Sequence, residues 1–326
     1  MFTPSDITQA ARILREGGLV AIPTETVYGL AANALDPLAV ARVFAAKGRP
    51  KFDPLIVHVP HRDALAELVA EFPAKAVKLA DAFWPGPLTM VLRKQAVVPD
   101  IVTAGLPTVA VRIPDHPVAQ ALLREAGLPL AAPSANPFGR ISPTTAAHVR
   151  EQLGDKVDFI LAGLPCPMGD ESTVVQVTGD QVQLLRPGGV TLEELQAIVG
   201  EVVIPSPDAH PSTAAQPSPG TLPQHYAPRT KLILATDASE DEILEVPELL
   251  YDVRSGLLCL TAPQKIVGFA AVEQLSKTGD LTEAAANFFA ALRRLDAAGL
   301  DVIIARPFPE VGLGRALNDR LRRAAH

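Results

Sequence analysis

Short, mostly apolar runs alternate with amphipathic segments along the first two hundred residues. We assign buried strands to five of these runs, namely 19–22, 55–57, 88–92, 109–113 and 173–177. Capping signals place helices between them: Asp36-Pro37 with a stop at Gly48, Asp115 with a stop at Gly127, Ser142-Pro143, and Thr191 with Glu194. This alternation of strands and helices predicts an α/β layered domain.

The last hundred residues show the same alternation on a smaller scale. Residues 231–235 and 301–305 are strand-like, and the tail at 315–325 is helical. Asp280 and Glu283 cap a long helix that runs to Gly299. We therefore expect a small, Rossmann-like α/β domain, with a parallel sheet.

A proline-rich stretch separates the two regions. It runs from 204 to 220 and continues to Pro223 and Pro228. Proline fixes φ and lacks a backbone donor, so this density favours an extended connector over a helix or strand. We divide the chain into a first domain at 1–200, a linker at 201–230, and a C-terminal domain at 231–326.

Composition narrows the class of protein. The 326 residues are 48% hydrophobic and carry a formal net charge of −7, so an extended nucleic-acid-coating surface is disfavoured. Two distant cysteines, Cys166 and Cys259, indicate neither a disulfide framework nor a zinc site. The N-terminus does not resemble a signal peptide, and no run approaches the roughly 18 apolar residues of a membrane span. We expect a soluble, cytoplasmic protein.

Common nucleotide-binding and hydrolase motifs are absent from the sequence, but several polar clusters lie at strand ends. The segment at 23–30 places two threonines, a carboxylate and a phenol where a strand gives way to a loop, which is where ligands of open α/β sheets bind. An ordinary polar strand exit explains this segment equally well.

Cations follow the predicted helix stop at Gly48. Lys47, Arg49 and Lys51 either complement the helix dipole or grip phosphate oxygens in a loop stiffened by prolines. His58, at the end of the next strand, is by itself more typical of a core histidine.

Arg112 lies inside an apolar strand, where an unpaired charge is costly, so it needs an anionic partner. A protein carboxylate is the slightly commoner partner, and a substrate carboxylate is the alternative. The small residues and hydroxyls at 131–142 precede a predicted helix start, which is a natural anion cradle.

Seven motifs occur in order: IPTETVYGL at 22–30, KGRP at 47–50, PLIVH at 54–58, VRIP at 111–114, APSAN at 132–136, ESTV at 171–174 and LRPG at 185–188. Together they resemble the YrdC-type threonylcarbamoyl-AMP synthases in their long two-domain form. The likeness covers nearly all of the first domain and extends to His225-Tyr226 and to 312–320. It implies that the first domain is a twisted open-sheet catalytic domain, that the linker is a lid, and that the C-terminal domain is a smaller α/β domain.

The resemblance implies synthesis of threonylcarbamoyl-AMP from L-threonine, bicarbonate and ATP, with Mg²⁺ accompanying ATP. The product would modify tRNA through a downstream threonylcarbamoyl transferase, with a possible direct tRNA contact. The implied ATP-binding residues are Arg49, Asp53, Thr108, Ser134, Asn136, Ser142, Arg186, His225 and Tyr226, with Lys47 and Arg49 acting on the phosphates. The implied threonine-binding residues are Thr26, His58, Arg112, Ala132 and Ser172.

Two departures from the family pattern affect this expectation. Asp53 replaces the usual asparagine, which adds a negative charge near the phosphates, and the linker lacks two usual cations before His225. Three other functions are alternatives to this synthase activity: an RNA-binding protein, a carbamoyl-transfer accessory domain that uses carbamoyl phosphate, and a nucleotide-binding regulator without turnover. The acidic balance disfavours the first, and the absence of cysteine clusters disfavours the second.

Overall fold

The computed structural model describes residues 3–205, 215–220, 222, 224–235, 243–245, 253–263 and 265–325. The chain divides into two compact units. The first contains Met1–Phe138, Ser142–Pro167 and Glu171–Leu222, and the second contains Gly139–Ile141, Met168–Asp170 and Pro223–His326. The predicted linker therefore contributes to both units, and its residues 206–214, 221 and 223 lie outside the described residues. The domain boundaries proposed from the sequence stay a prediction.

A nine-stranded mixed sheet organises the first unit, in the order β7-β1-β2-β6-β3-β5-β4-β8-β9. The strands are β1 Val20–Ile22, β2 Gly29–Asn33, β3 Ile56–His58, β4 Leu88–Arg93, β5 Thr108–Arg112, β6 Leu130–Ala131, β7 Phe159–Ile160, β8 Thr173–Thr178 and β9 Gln181–Arg186. The helices are α1 Pro4–Arg15, α2 Pro37–Lys47, α3 Ala74–Phe83, α4 Asp100–Thr103, α5 Pro117–Ala126, α6 Ala146–Leu153 and α7 Leu192–Val199, with 3₁₀ turns at Arg62–Glu67 and Gly154–Lys156.

Alternate strand residues face two apolar layers. One layer contains Val57, Met90 and Val111 and packs with side chains of α2, α3 and α7. On the opposite face, the side chains of β1, β2 and β6 pack against α1 and α5. Farther along that face, Ile56, Val91, Ala110 and Val174 form only a small cluster. This part of the sheet surface, across β3, β5, β4 and β8, is where the polar residues described below project.

The second unit contains a four-stranded parallel sheet in the order β10-β15-β12-β14. These strands are β10 Lys231–Leu234, β12 Ser255–Cys259, β14 Ala271–Gln274 and β15 Val302–Ala305, and a separate parallel pair joins β11 Ile243–Glu245 to β13 Lys265–Val267. Helices α8 Leu281–Ala297 and α9 Gly314–Ala324 complete the described part. The predicted parallel sheet and two-domain α/β class are confirmed.

Most predicted elements are confirmed to within one or two residues; the cap of α5 differs by one residue, and the start of α6 was wrong. Helix α5 is capped by His116 rather than Asp115, because the His116 ring accepts the Val118 N–H at 3.2 Å. Helix α6 begins at Ala146, after its N-cap Thr145, and not at Ser142-Pro143. The Pro143 carbonyl instead accepts a hydrogen bond from the Tyr28 N–H at 2.8 Å, which holds this segment against the loop after β1.

Candidate active site

The loop between β1 and β2 and the end of β5 share a buried ion pair. Arg112 donates from Nη2 to Glu25 Oε1 at 2.6 Å, from Nη1 to Thr26 Oγ1 at 3.0 Å and from Nε to the Gly86 carbonyl at 3.2 Å. The Thr24 and Thr26 hydroxyls lie 2.8 Å apart. Arg112 thus has the protein carboxylate that an arginine inside an apolar strand requires. Within the described residues three of its five donors are engaged, which leaves two for a ligand.

His58 lies beside Arg112 because β3 and β5 run parallel with these two residues in register. Burial, together with the nearby Arg112 charge, lowers the pKa of His58 to about 3. The imidazole is therefore neutral at physiological pH. Its Nδ1 is buried and has no hydrogen-bond partner within the described residues, so it is available to a polar ligand.

A second charged cluster follows α2. Gly48 ends the helix in the left-handed conformation at φ 65°, which turns the chain so that Arg49 follows directly. Lys47 Nζ donates to the carbonyls of Ser134 at 2.5 Å and Asn136 at 2.6 Å. Arg49 Nη2 lies 2.9 Å from Asp53 Oδ2. The 47–53 loop is thereby tied to the 134–136 loop through main-chain oxygens.

Burial sets the charge of this cluster. It lowers the pKa of Lys47 to about 7, with a further contribution from the Arg49 charge and against the attraction of Glu171 and Asp53. Burial also raises the pKa of Asp53, although Arg49, Lys47 and Arg186 favour its ionised form. Lys47 therefore titrates near neutral pH, where an arriving anion would recharge it.

Arg186 at the end of β9 organises the third part of the site. It donates from Nη1 to Glu171 Oε2 at 2.5 Å and from Nη2 to the Ser172 carbonyl at 2.9 Å and the Ser172 hydroxyl at 3.2 Å. The Ser142 hydroxyl donates to Glu171 Oε1 at 3.0 Å. The Glu171 carboxylate therefore connects Ser142 to Arg186.

The residues that the resemblance assigns to threonine and those that it assigns to ATP come together near the start of β4. Ser172 exchanges a hydrogen bond with Thr89 at 2.8 Å, while Arg112 binds the Gly86 carbonyl three residues earlier. In the sheet, Thr89 pairs with Val174, and Ile56 pairs with Ala110. Because side chains two residues apart share a face, His58, Thr89, Arg112 and Ser172 project from the surface floored by Ile56, Val91, Ala110 and Val174. The site is one continuous sheet surface.

The remaining site residues of the first unit lie at its edges. Thr108 begins β5, four residues and roughly 13 Å along the strand from Arg112. Ala132 follows β6, and its backbone N–H donates to the Ile56 carbonyl at 3.0 Å. Ser134 forms an isolated bridge to Gly29, and Asn136 is fully buried.

Part of the predicted linker lies against this site. The Gln216 N–H donates to the Phe52 carbonyl at 3.0 Å, next to Asp53, and Arg186 Nη1 donates to the Pro219 carbonyl at 3.2 Å. Ser218, which lies between Gln216 and Pro219 in the sequence, is fully buried. The Pro219 carbonyl therefore engages a donor of Arg186.

The structure places His225 and Tyr226 in the second unit. Tyr226 is fully buried at a φ of 64°, its ring centroid lies 5.7 Å from that of Phe289, and the Arg320 guanidinium lies 5.1 Å from its ring centre. His225 packs edge-on against Tyr226 at 4.1 Å. Their assignment to ATP stays a prediction.

Sequence reasoning missed Glu25 and Glu171 as site residues. Each holds one of the buried arginines, and each lies within a motif already noted at a strand end. The arginines within apolar strands could have identified them. Each such buried cation requires a carboxylate partner, and the motifs at the strand ends contain glutamates. Within the described residues no group of three or more His, Cys, Asp or Glu side chains could hold a metal ion. Nor is any helix of the described segments long and apolar enough to cross a bilayer.

Comparison with known proteins agrees with this arrangement. A family model described as telomere recombination, for Sua5, YciO and YrdC proteins, matches residues 12–188. A second, described as the C-terminal domain of threonylcarbamoyl-AMP synthase, matches residues 190–326. The fold is thus that of a Sua5/YciO/YrdC-type α/β protein.

Full-length relatives narrow the assignment. The threonylcarbamoyl-AMP synthase of Pyrococcus abyssi is 43% identical, over 97% of this chain and 93% of the relative. That of Bacillus subtilis is 42% identical, over 98% and 92%. The crystal structure of P. abyssi Sua5 complexed with L-threonine matches with a TM-score of 0.88 at 42% identity, over 98% and 94% of the two chains. The chain belongs to the threonylcarbamoyl-AMP synthase family, as its motifs predicted.

Proposed function

We propose that this protein condenses L-threonine, bicarbonate and ATP into threonylcarbamoyl-AMP, with release of pyrophosphate and water. The observation that carries the proposal is a single sheet surface that holds an Arg112–Glu25 pair beside a cluster of buried cations. An amino acid fits the pair, and a triphosphate fits the cations. The names of the full-length relatives and the L-threonine bound to the P. abyssi protein support this assignment.

The reaction has two bond-forming steps. The threonine nitrogen bonds to the carbon of CO2 derived from bicarbonate, which gives a carbamate. A carbamate oxygen then attacks the α-phosphorus of ATP, and the bond to the β-phosphate oxygen breaks. Both steps depend on charge neutralisation and alignment more than on a covalent nucleophile. The described site supplies cations and hydroxyls for that purpose.

L-Threonine would bind at the end of β5. We assign its contacts to Thr26, His58, Arg112, Ala132 and Ser172. Arg112 keeps two unused N–H groups for the carboxylate, and neutral His58 offers an unpartnered Nδ1. The Thr26 hydroxyl, which contacts Arg112, and the Ser172 hydroxyl, which contacts Thr89, suit the polar groups of the substrate.

ATP would extend along the cation cluster. We assign its contacts to Arg49, Asp53, Thr108, Ser134, Asn136, Ser142 and Arg186, with Lys47 and Arg49 acting on the phosphates. Arg186 would exchange the Pro219 carbonyl for phosphate oxygens, which requires residues 216–219 to withdraw. His225 and Tyr226 would then cover the nucleotide and exclude water that hydrolyses an acyl-adenylate.

Magnesium would accompany the triphosphate. Asp53 fits such an ion, because its Oδ1 is buried without a hydrogen-bond partner in the described part of the chain. Mg²⁺ would neutralise phosphate charge. We further propose that the reaction occurs in the cytoplasm and that a downstream transferase moves the product to tRNA, with or without direct tRNA contact by this chain.

The decisive test measures pyrophosphate release from ATP with each substrate omitted in turn. We expect release to require L-threonine, bicarbonate and ATP together, and we expect threonylcarbamoyl-AMP in the products by mass spectrometry. Pyrophosphate release that ignores threonine or bicarbonate would overturn the proposal. RNA binding with a log-linear salt dependence and without turnover would favour an RNA-binding protein instead.

A further inference from the structure

Glu25 carries chemistry that the site assignments above leave unused. We propose that Glu25 binds the α-ammonium group of the substrate while Arg112 binds its α-carboxylate, so that the pair recognises a zwitterionic α-amino acid. This inference rests on the proposed function and deepens it, because it names the residue that selects for the amine.

The geometry leaves Glu25 half engaged. Its Oε1 accepts from Arg112 at 2.6 Å, while its Oε2 is buried and has no hydrogen-bond partner within the described residues. Burying a carboxylate oxygen without a partner is costly, so such an atom calls for a donor. The Glu25 side chain is only 9% exposed and Oε2 itself is buried, so bulk water is not the main donor.

Arg112 need not release Glu25 to receive the substrate. Of its five N–H groups, one bonds to Glu25, one to Thr26 and one to Gly86. One hydrogen remains on each terminal nitrogen, which suffices for a carboxylate. A simple counter-ion role would end when the substrate arrives, whereas this arrangement keeps Glu25 beside the bound molecule.

The other titratable groups facing Glu25 add no net charge. His58 is neutral, since burial lowers its pKa to about 3, and burial likewise lowers the pKa of His116. The Cys166 thiol is neutral, because burial raises its pKa to about 12. Burial opposes ionisation of Glu25, but the charge of Arg112 and its hydrogen bond outweigh it and lower the pKa of Glu25. The pair is thus one positive and one negative charge, which matches a zwitterion.

The test compares two ligands with the full-length protein by titration calorimetry. The ligands are L-threonine and its 2-hydroxy analogue, 2,3-dihydroxybutanoate, in which a hydroxyl replaces the ammonium group. Wild type should bind threonine more tightly. In Glu25→Gln the affinity for threonine should fall roughly 10- to 100-fold, the range of a hydrogen bond to a charged group, while affinity for the analogue should change far less.

Controls separate a local effect from misfolding. Glu151→Gln removes the same charge from an exposed position of α6 and should leave both affinities unchanged. Glu25→Asp keeps the charge but retracts it by one methylene, and should show an intermediate loss of discrimination. If Glu25→Gln does not fold, Glu25→Asp takes its place in the comparison of the two ligands with wild type. ATP affinity of each folded variant should stay near the wild-type value.

The outcomes distinguish the two proposals. If wild type binds no L-threonine, the proposed function fails. If wild type prefers threonine and the Glu25 variants keep the same preference over the hydroxy analogue, the proposed function stands and the role of Glu25 is wrong.

Discussion

Several residues of the site are buried and charged, and a buried charge requires a partner of opposite charge. Arg112 is the clearest case, because the sequence predicted an anionic partner but left open whether the protein or the substrate supplies it. Glu25 supplies it in the structure, 87 positions away along the chain. No spacing rule connects residues so far apart, so a sequence predicts the need for a partner but not its identity.

Replacing Arg112 by lysine tests its role without removing the charge that holds Glu25. Lysine lacks the planar fork that binds a carboxylate through two N–H groups. We expect Arg112→Lys to raise the KM for L-threonine by about 10-fold or more, the loss of one charge-assisted hydrogen bond. The KM for ATP should change much less, as measured by pyrophosphate release. Arg112→Ala should also impair threonine use most, but it leaves Glu25 buried and unpaired and so lowers stability as well. Equal loss for both substrates would contradict the assignment.

The pKa of Lys47 leads to a separate prediction, which concerns proton uptake when ATP binds. Its pKa of about 7 in the free protein should rise when a triphosphate arrives. At pH 8 most molecules therefore start with a neutral Lys47, and ATP binding should take up close to one proton, whereas at pH 6 uptake should be small. Calorimetry in buffers of different ionisation enthalpy measures this number. Lys47→Arg, which is always charged, should abolish the uptake. Identical uptake in both proteins would show that Lys47 is already charged or distant from the phosphates.

At the scale of elements, apolar runs and caps located most strands and helices of the first unit. Of the elements missed, some had weak or short signals and at least one had a clear signal. Strand β2, Gly29–Asn33, consists of residues with low strand propensity and owes its existence to pairing with β1 and β6. Helix α1 had a readable signal, since Thr3 and Asp6 form a capping box before buried Ile7, Ala10 and Leu14. Pairing with neighbouring strands, rather than local strand propensity, therefore accounts for β2.

Gly188, after β9, is required by a close approach between two site elements. A Cβ there would lie 2.4 Å from the Glu171 carbonyl oxygen and 2.5 Å from the Ser172 carbonyl carbon, both main-chain atoms. Gly188→Ala should therefore shift the segment that holds Arg186, lowering stability by about 1–3 kcal/mol, as overpacking does. Turnover should fall more than tenfold. Leu164→Ala, at an exposed position, should change neither measurement appreciably. Wild-type turnover in Gly188→Ala would show that this backbone yields easily.

Across the whole molecule, the order of strands was not predictable. Neighbours such as β1 and β7, or β4 and β8, are separated by many residues and several other strands. Consequently the sequence predicted which polar motifs lie at strand ends, but not that His58, Thr89, Arg112 and Ser172 share one face. The family resemblance grouped His58, Arg112 and Ser172, and it did not include Thr89. The pairings of β3 with β5 and of β4 with β8 give the physical reason for it.

The chain passes between its two units beside two site residues, since Ser142 follows Ile141 and Glu171 follows Asp170. Within the second unit Asp170 is held by Arg320, from Nε to Oδ1 at 3.0 Å, with both side chains almost fully buried. Removing one partner of such a pair leaves an uncompensated buried charge, which costs about 3–5 kcal/mol. The pair therefore fixes the residue directly before Glu171.

Replacing Arg320 by methionine tests this role while filling most of the volume. We expect urea denaturation to show a loss of about 3–5 kcal/mol in the second unit. Arg322→Met, which breaks only an exposed pair with Glu310, should cost less than about 1 kcal/mol. Arg320 also pairs with Asp319, which keeps its second partner Arg323. Adding Asp170→Asn to Arg320→Met should therefore recover part of the loss, since the charge of Asp170 is then removed. Turnover should fall in Arg320→Met and not in Arg322→Met, because a displaced Asp170 moves Glu171 and with it the Ser142 and Arg186 contacts. Unchanged stability in Arg320→Met would mean that Asp170 finds another cation or water, and that the second unit does not depend on this pair.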